Sequence, residues 1–225
     1  MTSAQHLTTG IDTRIVVVRG TGTGPAVVVF PSGFGVTDDL QGQMAQLAQD
    51  ARVVVAVDVF GRSGAGPGDY ADTAAVMKRL QGFDREQGTR DWHAAIAFAR
   101  LASPDAVVAV GICFGGVFAL LAAADGLVDA VATWHAGRVE QILGRAAEMR
   151  VPLRLHFGAV DPIVPMSAVD AIAAAFADRD DVVVVVHAGA THGFSHPTAA
   201  AFNAPAEAAA MNAVRDLIAL TSIAT

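Results

Sequence analysis

Residues 111–116, with the sequence GICFGG, decide the fold of this chain. They join the apolar run 106–110 to a second apolar run, residues 117–124, which has helical length. A strand that turns this sharply into a helix needs glycines around the turn, because larger side chains would collide. The residue in the middle is held in a strained conformation with its side chain above the sheet. The spacing therefore predicts a tight strand-to-helix turn that presents the Cys113 thiol.

Seven short runs rich in β-branched residues predict strands. Several are apolar at every position rather than at alternate positions, which indicates strands covered on both faces. The runs are residues 14–18, 26–30, 53–59, 106–111, 130–134, 153–157 and 182–186. Amphipathic helical patterns lie between them. This alternation predicts one α/β domain over residues 1–225, with a mostly parallel sheet of about seven or eight strands and helices on both faces.

Three local signals predict where helices begin. Asp38 is expected to cap the helix that carries the apolar residues around Met44. A second helical pattern is expected after Thr89, and Pro205 is expected in the first turn of the last helix. No insertion is long enough to form a separate cap domain over the sheet.

The composition excludes several classes of protein. Hydrophobic residues make up 53% of the chain and charged residues 16%, which favours a large buried core over disorder. The net charge of −7 and the lack of a basic stripe argue against binding to nucleic acid. A single cysteine cannot form an internal disulfide, which argues against a stapled secreted scaffold. Because no signal-peptide pattern begins the chain, a cytoplasmic location is expected.

Residues 106–124 carry no charge and are long enough to suggest a membrane-spanning helix. Acidic residues, Asp105 and Asp125, flank this run, and neither end has a basic anchor. Three glycines interrupt it. These features favour a buried strand, a turn and a buried helix, so no membrane association is expected.

Two further residues follow predicted strands in a telling order. Asp161 comes shortly after strand 153–157, and His192 comes shortly after strand 182–186. Taken singly, Cys113 could be a small buried residue, Asp161 a turn residue and His192 a loop histidine. Together they give the order nucleophile, acid, histidine at the carboxyl ends of three strands. The sequence therefore predicts a catalytic triad of Cys113, His192 and Asp161.

Neither a metal ion nor another cofactor is expected. His192 and His196 are spaced like helical metal ligands, but Gly193 and Pro197 oppose a helix there and no third ligand is evident. The glycine-rich stretch 61–68 lacks both the glycine order and the following helix of a dinucleotide-binding loop.

With these motifs in place, the sequence resembles the dienelactone hydrolase family, cysteine-dependent members of the α/β-hydrolase fold. The resemblance rests on the elbow 111–116, on Asp161, on residues 192–194 (HGF) and, less specifically, on residues 34–36 (FGV) and 83–84 (FD). It implies hydrolysis of a small carboxylic ester or lactone. It also implies that the backbone amides of Phe114 and Gly33 form the oxyanion hole.

The sequence departs from the family at the substrate pocket. A family glutamate that pairs with the cysteine aligns with Ser32, and a carboxylate-binding arginine aligns with His196. Another arginine, a tyrosine and a tryptophan align with Thr73, Met77 and Leu80. The predicted pocket residues are Ser32, Phe34, Thr73, Met77, Leu80, His135 and His196. Without those arginines the pocket should bind a dicarboxylic lactone poorly.

Two alternatives to ester hydrolysis remain open from the sequence alone. The same scaffold could act as a thioesterase or acyltransferase, because both use a thioester intermediate. A non-catalytic protein that binds a small ligand or senses oxidants through Cys113 is the other alternative.

His135 is expected either to border the site or to be a satisfied loop histidine. A monomer or a small homo-oligomer is expected.

Overall fold

A computed structural model describes residues 4–8, 13–61 and 66–223. Over these residues the chain forms an eight-stranded sheet in the order β1-β2-β4-β3-β5-β6-β7-β8. Strand β2 pairs antiparallel with both β1 and β4, and the five other pairings in the sheet are parallel. The strands are β1 (Gln5–Thr8), β2 (Arg14–Arg19), β3 (Ala26–Phe30), β4 (Val53–Val57), β5 (Val107–Ile112), β6 (Ala130–Trp134), β7 (Leu153–Gly158) and β8 (Val182–His187). The expected mostly parallel sheet is confirmed.

Helices cover both faces of this sheet. They are α1 (Asp38–Leu47), α2 (Thr73–Gln81), α3 (Arg85–Ala102), α4 (Phe114–Ala124), α5 (Met166–Ala175) and α6 (Ala204–Ile223), with a stretch of 3-10 turns at Val139–Glu148. Residues of α1 and α6 pack with one face of the sheet, and residues of α3, α4 and α5 pack with the other. The central strands are buried at every position because apolar side chains meet a helix layer on each side.

The structure corrects several predicted boundaries. The edge strand β1 was not predicted, and β4 ends at Val57 rather than at residue 59. Thr37, not Asp38, caps α1, since its hydroxyl accepts the Leu40 amide. The helix expected after Thr89 begins a turn earlier, at Arg85. Pro205 lies in the first turn of α6, as predicted.

The uncharged run 106–124 forms β5, the turn at residue 113 and α4. Among the helices in the described ranges, none is both long enough and apolar enough to cross a bilayer. Part of the glycine-rich stretch 61–68, residues 62–65, lies outside the described residues.

The strand order determines where side chains can meet. Strands β5, β6, β7 and β8 are consecutive neighbours and run parallel, so their carboxyl ends share one edge of the sheet. The loop after β3 reaches the same edge, because β3 pairs parallel with β5. From β3 the chain continues to β4 on one side, and from β5 it continues to β6 on the other side. Open α/β sheets form their binding crevices at such a point.

Candidate active site

The turn between β5 and α4 has the geometry that its glycines predict. Cys113 stands at φ 50° and ψ −113°, in a region that L-residues rarely adopt. A Cβ added to Gly111 would lie 2.6 Å from Gly116 Cα, and one added to Gly115 would lie 2.1 Å from the Phe30 carbonyl oxygen. Both contacts are with backbone, which cannot move aside cheaply. The glycines are therefore required for the close approach that holds Cys113 in place.

The three side chains singled out in the sequence form a line of polar contacts. His192 Nε2 lies 3.0 Å from Cys113 Sγ, and His192 Nδ1 lies 2.8 Å from Asp161 Oδ2. The other carboxylate oxygen of Asp161 accepts the amides of Ile163 and Val164 at 2.7 and 3.1 Å. Asp161 is thus fixed by its own loop and is oriented to hold the imidazole. The 3.0 Å between Cys113 Sγ and His192 Nε2 is short enough for proton transfer between thiol and imidazole.

His192 carries a strongly shifted pKa. Burial of the ring opposes its positive charge, but the charge of Cys113 and the hydrogen bond to Asp161 outweigh that effect. Together these influences raise the pKa of His192 to about 10. The side chain is only 14% exposed, so water screens these interactions weakly. His192 is therefore held as a positively charged imidazolium beside the Cys113 sulfur.

His135 lies beside His192, but its pKa is shifted in the opposite direction. It occupies the loop after β6, is fully buried, and has a positive φ of 41°. Its ring centre is 4.8 Å from that of His192 in an edge-to-face arrangement. Burial, reinforced by the neighbouring His192 and His196, holds the pKa of His135 well below its usual value. His135 borders the site as a neutral ring, which was one of the two expectations.

His196 forms a second neutral boundary with two aromatic rings. It stacks on Tyr70 with ring centres 4.7 Å apart, and Phe34 meets both rings edge-on. The Tyr70 hydroxyl lies 2.9 Å from that of Thr37. Burial lowers the pKa of His196 to about 4. Tyr70 was not singled out in the sequence; it is the chain's single tyrosine, but nothing in the pattern tied it to this site.

Two other histidines follow a different pattern. His156 in β7 and His187 in β8 bond to each other, with Nδ1 and Nε2 2.9 Å apart and their rings stacked. Burial lowers the pKa of both side chains, that of His156 to about 4. Their positions inside paired strands and their contact with each other suit a structural role.

The amides proposed for the oxyanion hole stand on adjacent loops. Phe114 begins α4, and Gly33 lies in the loop after β3. Within the described part of the chain, neither amide has an acceptor. The Ser32 hydroxyl accepts the Phe34 amide at 3.3 Å instead, which shapes the loop around Gly33. Gly33 has no room for a side chain, because an added Cβ would lie 2.8 Å from Val76.

Three of the residues expected to line the pocket, Thr73, Met77 and Leu80, lie along α2. Leu80 approaches Gly33, where an added Cβ would be 3.1 Å from Leu80 Cδ1. Met77 is 51% exposed, and Thr73 is exposed at the first residue of the helix. The one arginine of α2, Arg79, is engaged with the carbonyl groups of Gly33 and Phe34 and with the Phe60 ring. Thr73, Met77 and Leu80 thus offer only apolar or neutral side chains.

Comparison with known proteins identifies the family. A model of the dienelactone hydrolase family matches residues 11–221. The carboxymethylenebutenolidase of Pseudomonas putida is 29% identical over 201 residues, which cover 87% of this chain and 85% of that protein. The carboxymethylenebutenolidase of Pseudomonas sp. strain P51 is 28% identical over 189 residues, covering 81% and 79% of the two chains.

Solved structures have the same fold. The dienelactone hydrolase-like promiscuous phosphotriesterase P91 from metagenomic libraries gives a TM-score of 0.79 at 27% identity and covers 97% of this chain and 98% of that one. A dienelactone hydrolase, designated putative, from Klebsiella pneumoniae shares the fold with a TM-score of 0.82 at 19% identity, covering 97% and 99%. The chain belongs to the dienelactone hydrolase family, a family of carboxylic ester hydrolases with the α/β-hydrolase fold.

Proposed function

We propose that this protein hydrolyses small carboxylic esters or lactones through a Cys113, His192 and Asp161 triad and a thioester intermediate. The observation that carries the proposal is the unbroken line from Cys113 Sγ through both nitrogens of His192 to Asp161. In this arrangement a thiolate and an imidazolium stabilise each other before substrate binds. Family membership supports the same reaction class.

Acylation uses the imidazolium as an acid. The Cys113 thiolate attacks the ester carbonyl carbon, and the new oxyanion accepts hydrogen bonds from the amides of Phe114 and Gly33. The carbon–oxygen bond to the alcohol then breaks, and the departing alkoxide takes the proton from His192 Nε2. In a lactone this hydroxyl stays attached to the acyl group. The products of this half-reaction are a Cys113 thioester and a neutral His192.

Deacylation reverses the role of the same ring. The thiolate charge that helps to raise the pKa of His192 disappears when Cys113 becomes a thioester. The neutral ring can then accept a proton from water, while Asp161 holds the correct nitrogen toward it. The hydroxide formed attacks the thioester carbonyl, the carbon–sulfur bond breaks, and the thiolate and imidazolium are restored.

The surroundings favour neutral, compact substrates. Leu80 and Met77 are expected at pocket positions, and His196, expected where the family has an arginine, is held neutral. Two exposed apolar side chains, Val160 and Ile163, flank Asp161 at 61% and 62% exposure. None of these groups offers a guanidinium to a substrate carboxylate, and the guanidinium of Arg79 is engaged with the carbonyl groups of Gly33 and Phe34. We infer that uncharged esters and lactones are processed better than dicarboxylic lactones.

A substrate panel tests this function. Wild type, Cys113→Ser and Cys113→Ala are assayed with a neutral aryl acetate, an uncharged lactone, a dicarboxylic dienelactone and an aryl thioester. A neutral phosphotriester is added, because a relative is a dienelactone hydrolase-like phosphotriesterase. We expect neutral esters to exceed the dienelactone in kcat/KM by at least about tenfold, and Cys113→Ala to remove activity.

The same panel separates the rival activities. Added alcohol or thiol acceptors that capture most of the acyl group would indicate an acyltransferase rather than a hydrolase. A thioester processed far faster than any ester would indicate a thioesterase. No turnover of any substrate by wild type, or full activity in Cys113→Ala, would contradict the proposed mechanism.

A further inference from the structure

His135 gives the site a third ligand atom for a soft metal ion. One ring nitrogen of His135, one of His192 and Cys113 Sγ all lie within 4.8 Å of one another. His135 is fully buried, and its Nδ1 has no hydrogen-bond partner among the described residues. Its Nε2 lies 2.8 Å from the Ser195 hydroxyl. Leaving a buried nitrogen without a partner is costly, and a metal ion bound at Nδ1 would satisfy it while Nε2 keeps its contact with Ser195.

We propose that Cys113, His135 and His192 form a Zn²⁺-binding site and that the bound ion reversibly inhibits the enzyme. The inference shares two residues with the proposed catalytic triad, and its effect on activity rests on that proposed function. Metal binding itself does not require turnover. The sequence could not suggest it, because the three ligands come from loops after β5, β6 and β8 and only the strand order brings them together.

The donor set suits zinc in its chemistry. One thiolate and two imidazoles are the ligands that Zn²⁺ prefers, whereas Mg²⁺ and Ca²⁺ require oxygen. With bond lengths of about 2.0–2.3 Å, a tetrahedral zinc holds its ligand atoms roughly 3.5 Å apart. The 3.0 Å contact between Sγ and His192 Nε2 would open slightly, and the His135 nitrogen, now within 4.8 Å of the other two ligand atoms, would approach to roughly 3.5 Å. The fourth position would be left for water.

Coordination would block both halves of the reaction. Zinc takes a sulfur lone pair of Cys113 and the Nε2 lone pair of His192, and the proton that these two groups share is released to solvent. The sulfur is then no longer free to attack a carbonyl, and the ring can neither give nor accept a proton. Asp161 stays bonded to Nδ1, as is usual for histidine ligands of zinc.

Zinc titration of the full-length protein tests the site directly. The affinity for Zn²⁺ is measured by competition with a chromophoric chelator for wild type, His135→Phe and His93→Phe. The matched control, His93→Phe, makes the same change at an exposed histidine of α3 that contacts none of the three ligands. Because changes behind a ligand alone cost about 10- to 100-fold, we expect His135→Phe to weaken binding at least about 100-fold. The control should shift affinity less than about threefold.

Two readouts do not depend on a variant that folds. Co²⁺ added to wild type should give a thiolate-to-cobalt charge-transfer band, and Zn²⁺ should shift the imidazole resonances of His135 together with those of His192. Equal zinc affinity in wild type and a folded His135→Phe, or no effect of zinc on the His135 ring, would overturn the inference. Zinc binding without esterase activity would leave the site standing and refute the proposed function. Esterase activity unaffected by saturating zinc would refute the inhibition.

Discussion

The loops after β6 and β8 each carry a largely buried histidine, His135 and His192, yet the two rings differ in charge. Their centres are 4.8 Å apart, and both are shielded from solvent. Burial lowers the pKa of His135 well below its usual value, whereas that of His192 rises to about 10. The difference lies in their partners. His192 stands between a carboxylate and a sulfur, while His135 bonds only a hydroxyl.

This comparison shows what each loop contributes to the site. Burial sets neutrality as the default for histidine at this edge of the sheet, as the low pKa of His196 also illustrates. Asp161 and Cys113 overcome that default at one ring only. The positive charge is therefore confined to the ring beside Cys113. The neighbouring neutral rings can line the site without competing with it for the sulfur.

The largest expected effect comes from removing the carboxylate that distinguishes the two rings. Asp161→Asn should lower kcat/KM by roughly 10³- to 10⁴-fold, because the amide no longer holds the required tautomer of His192. The matched control is Asp129→Asn, which alters a carboxylate bonded to Arg100 and to the amide of Val107, the first residue of β5. Steady-state kinetics should show less than about threefold change there. Equal losses in both variants would mean a folding defect rather than a catalytic one.

A smaller effect is expected in the pH dependence of Cys113 alkylation. The pKa of His192 is raised to about 10, so the ring keeps its proton below that pH and loses it only above. The positive charge beside the Cys113 sulfur thus persists over the neutral range, and such a charge favours ionisation of a thiol. Iodoacetamide should react at rates within about threefold between roughly pH 6 and 8, whereas an ordinary thiol would accelerate by about 50- to 100-fold. Stopped-flow alkylation with mass detection measures this, and a steep rise toward pH 8 would contradict it.

Titration of the rings themselves sharpens the contrast. By NMR, His196 should remain neutral until the pH falls toward its pKa of about 4, while His192 stays protonated up to about 10. In Asp161→Asn the pKa of His192 should fall by about one unit or more, since a charge-assisted hydrogen bond is lost. The pKa of His196 should hardly move. Similar titration of both rings in wild type would abolish the distinction drawn here.

The smallest effect is expected at Tyr70, whose ring stacks on His196. Tyr70→Phe keeps the stack on His196 and removes the hydroxyl that lies 2.9 Å from Thr37. The free energy of unfolding should fall by about 1 kcal/mol, as one partly buried hydrogen bond is lost. Urea denaturation measures this change. A loss of activity above about tenfold would show that the Tyr70 hydroxyl takes part in the reaction.

Much of the fold could be predicted because its central strands have a clear sequence pattern. Buried parallel strands are apolar at every position, and the glycines of residues 111–116 mark the turn into α4. The strand β1 escaped prediction because Gln5–Thr8 is exposed along its whole length and lacks an apolar pattern. The start of α3 was placed too late because its apolar face begins near Trp92, whereas the cap that starts it is Asp84.

The site divides in the same way. The contacts among Cys113, Asp161 and His192 could be predicted, since each residue follows a recognisable strand within a few positions. The placement of His135 between them depends on β6 lying between β5 and β7, which is a fact of topology that one sequence does not contain. Tyr70 reaches His196 from a segment before α2 with no periodic signal. Long-range packing decides such contacts, and local propensity does not report them.

Intact-protein and peptide mass spectrometry of the acylated enzyme tests the central claim most directly. The protein is mixed with excess neutral aryl acetate, quenched in acid within the first turnover and digested. A single acetyl group on Cys113, absent in Cys113→Ala and accumulating in His192→Asn less than in wild type, is the result expected from a thioester mechanism. Turnover with no acylated species, or with the acetyl group on Ser32, would contradict it.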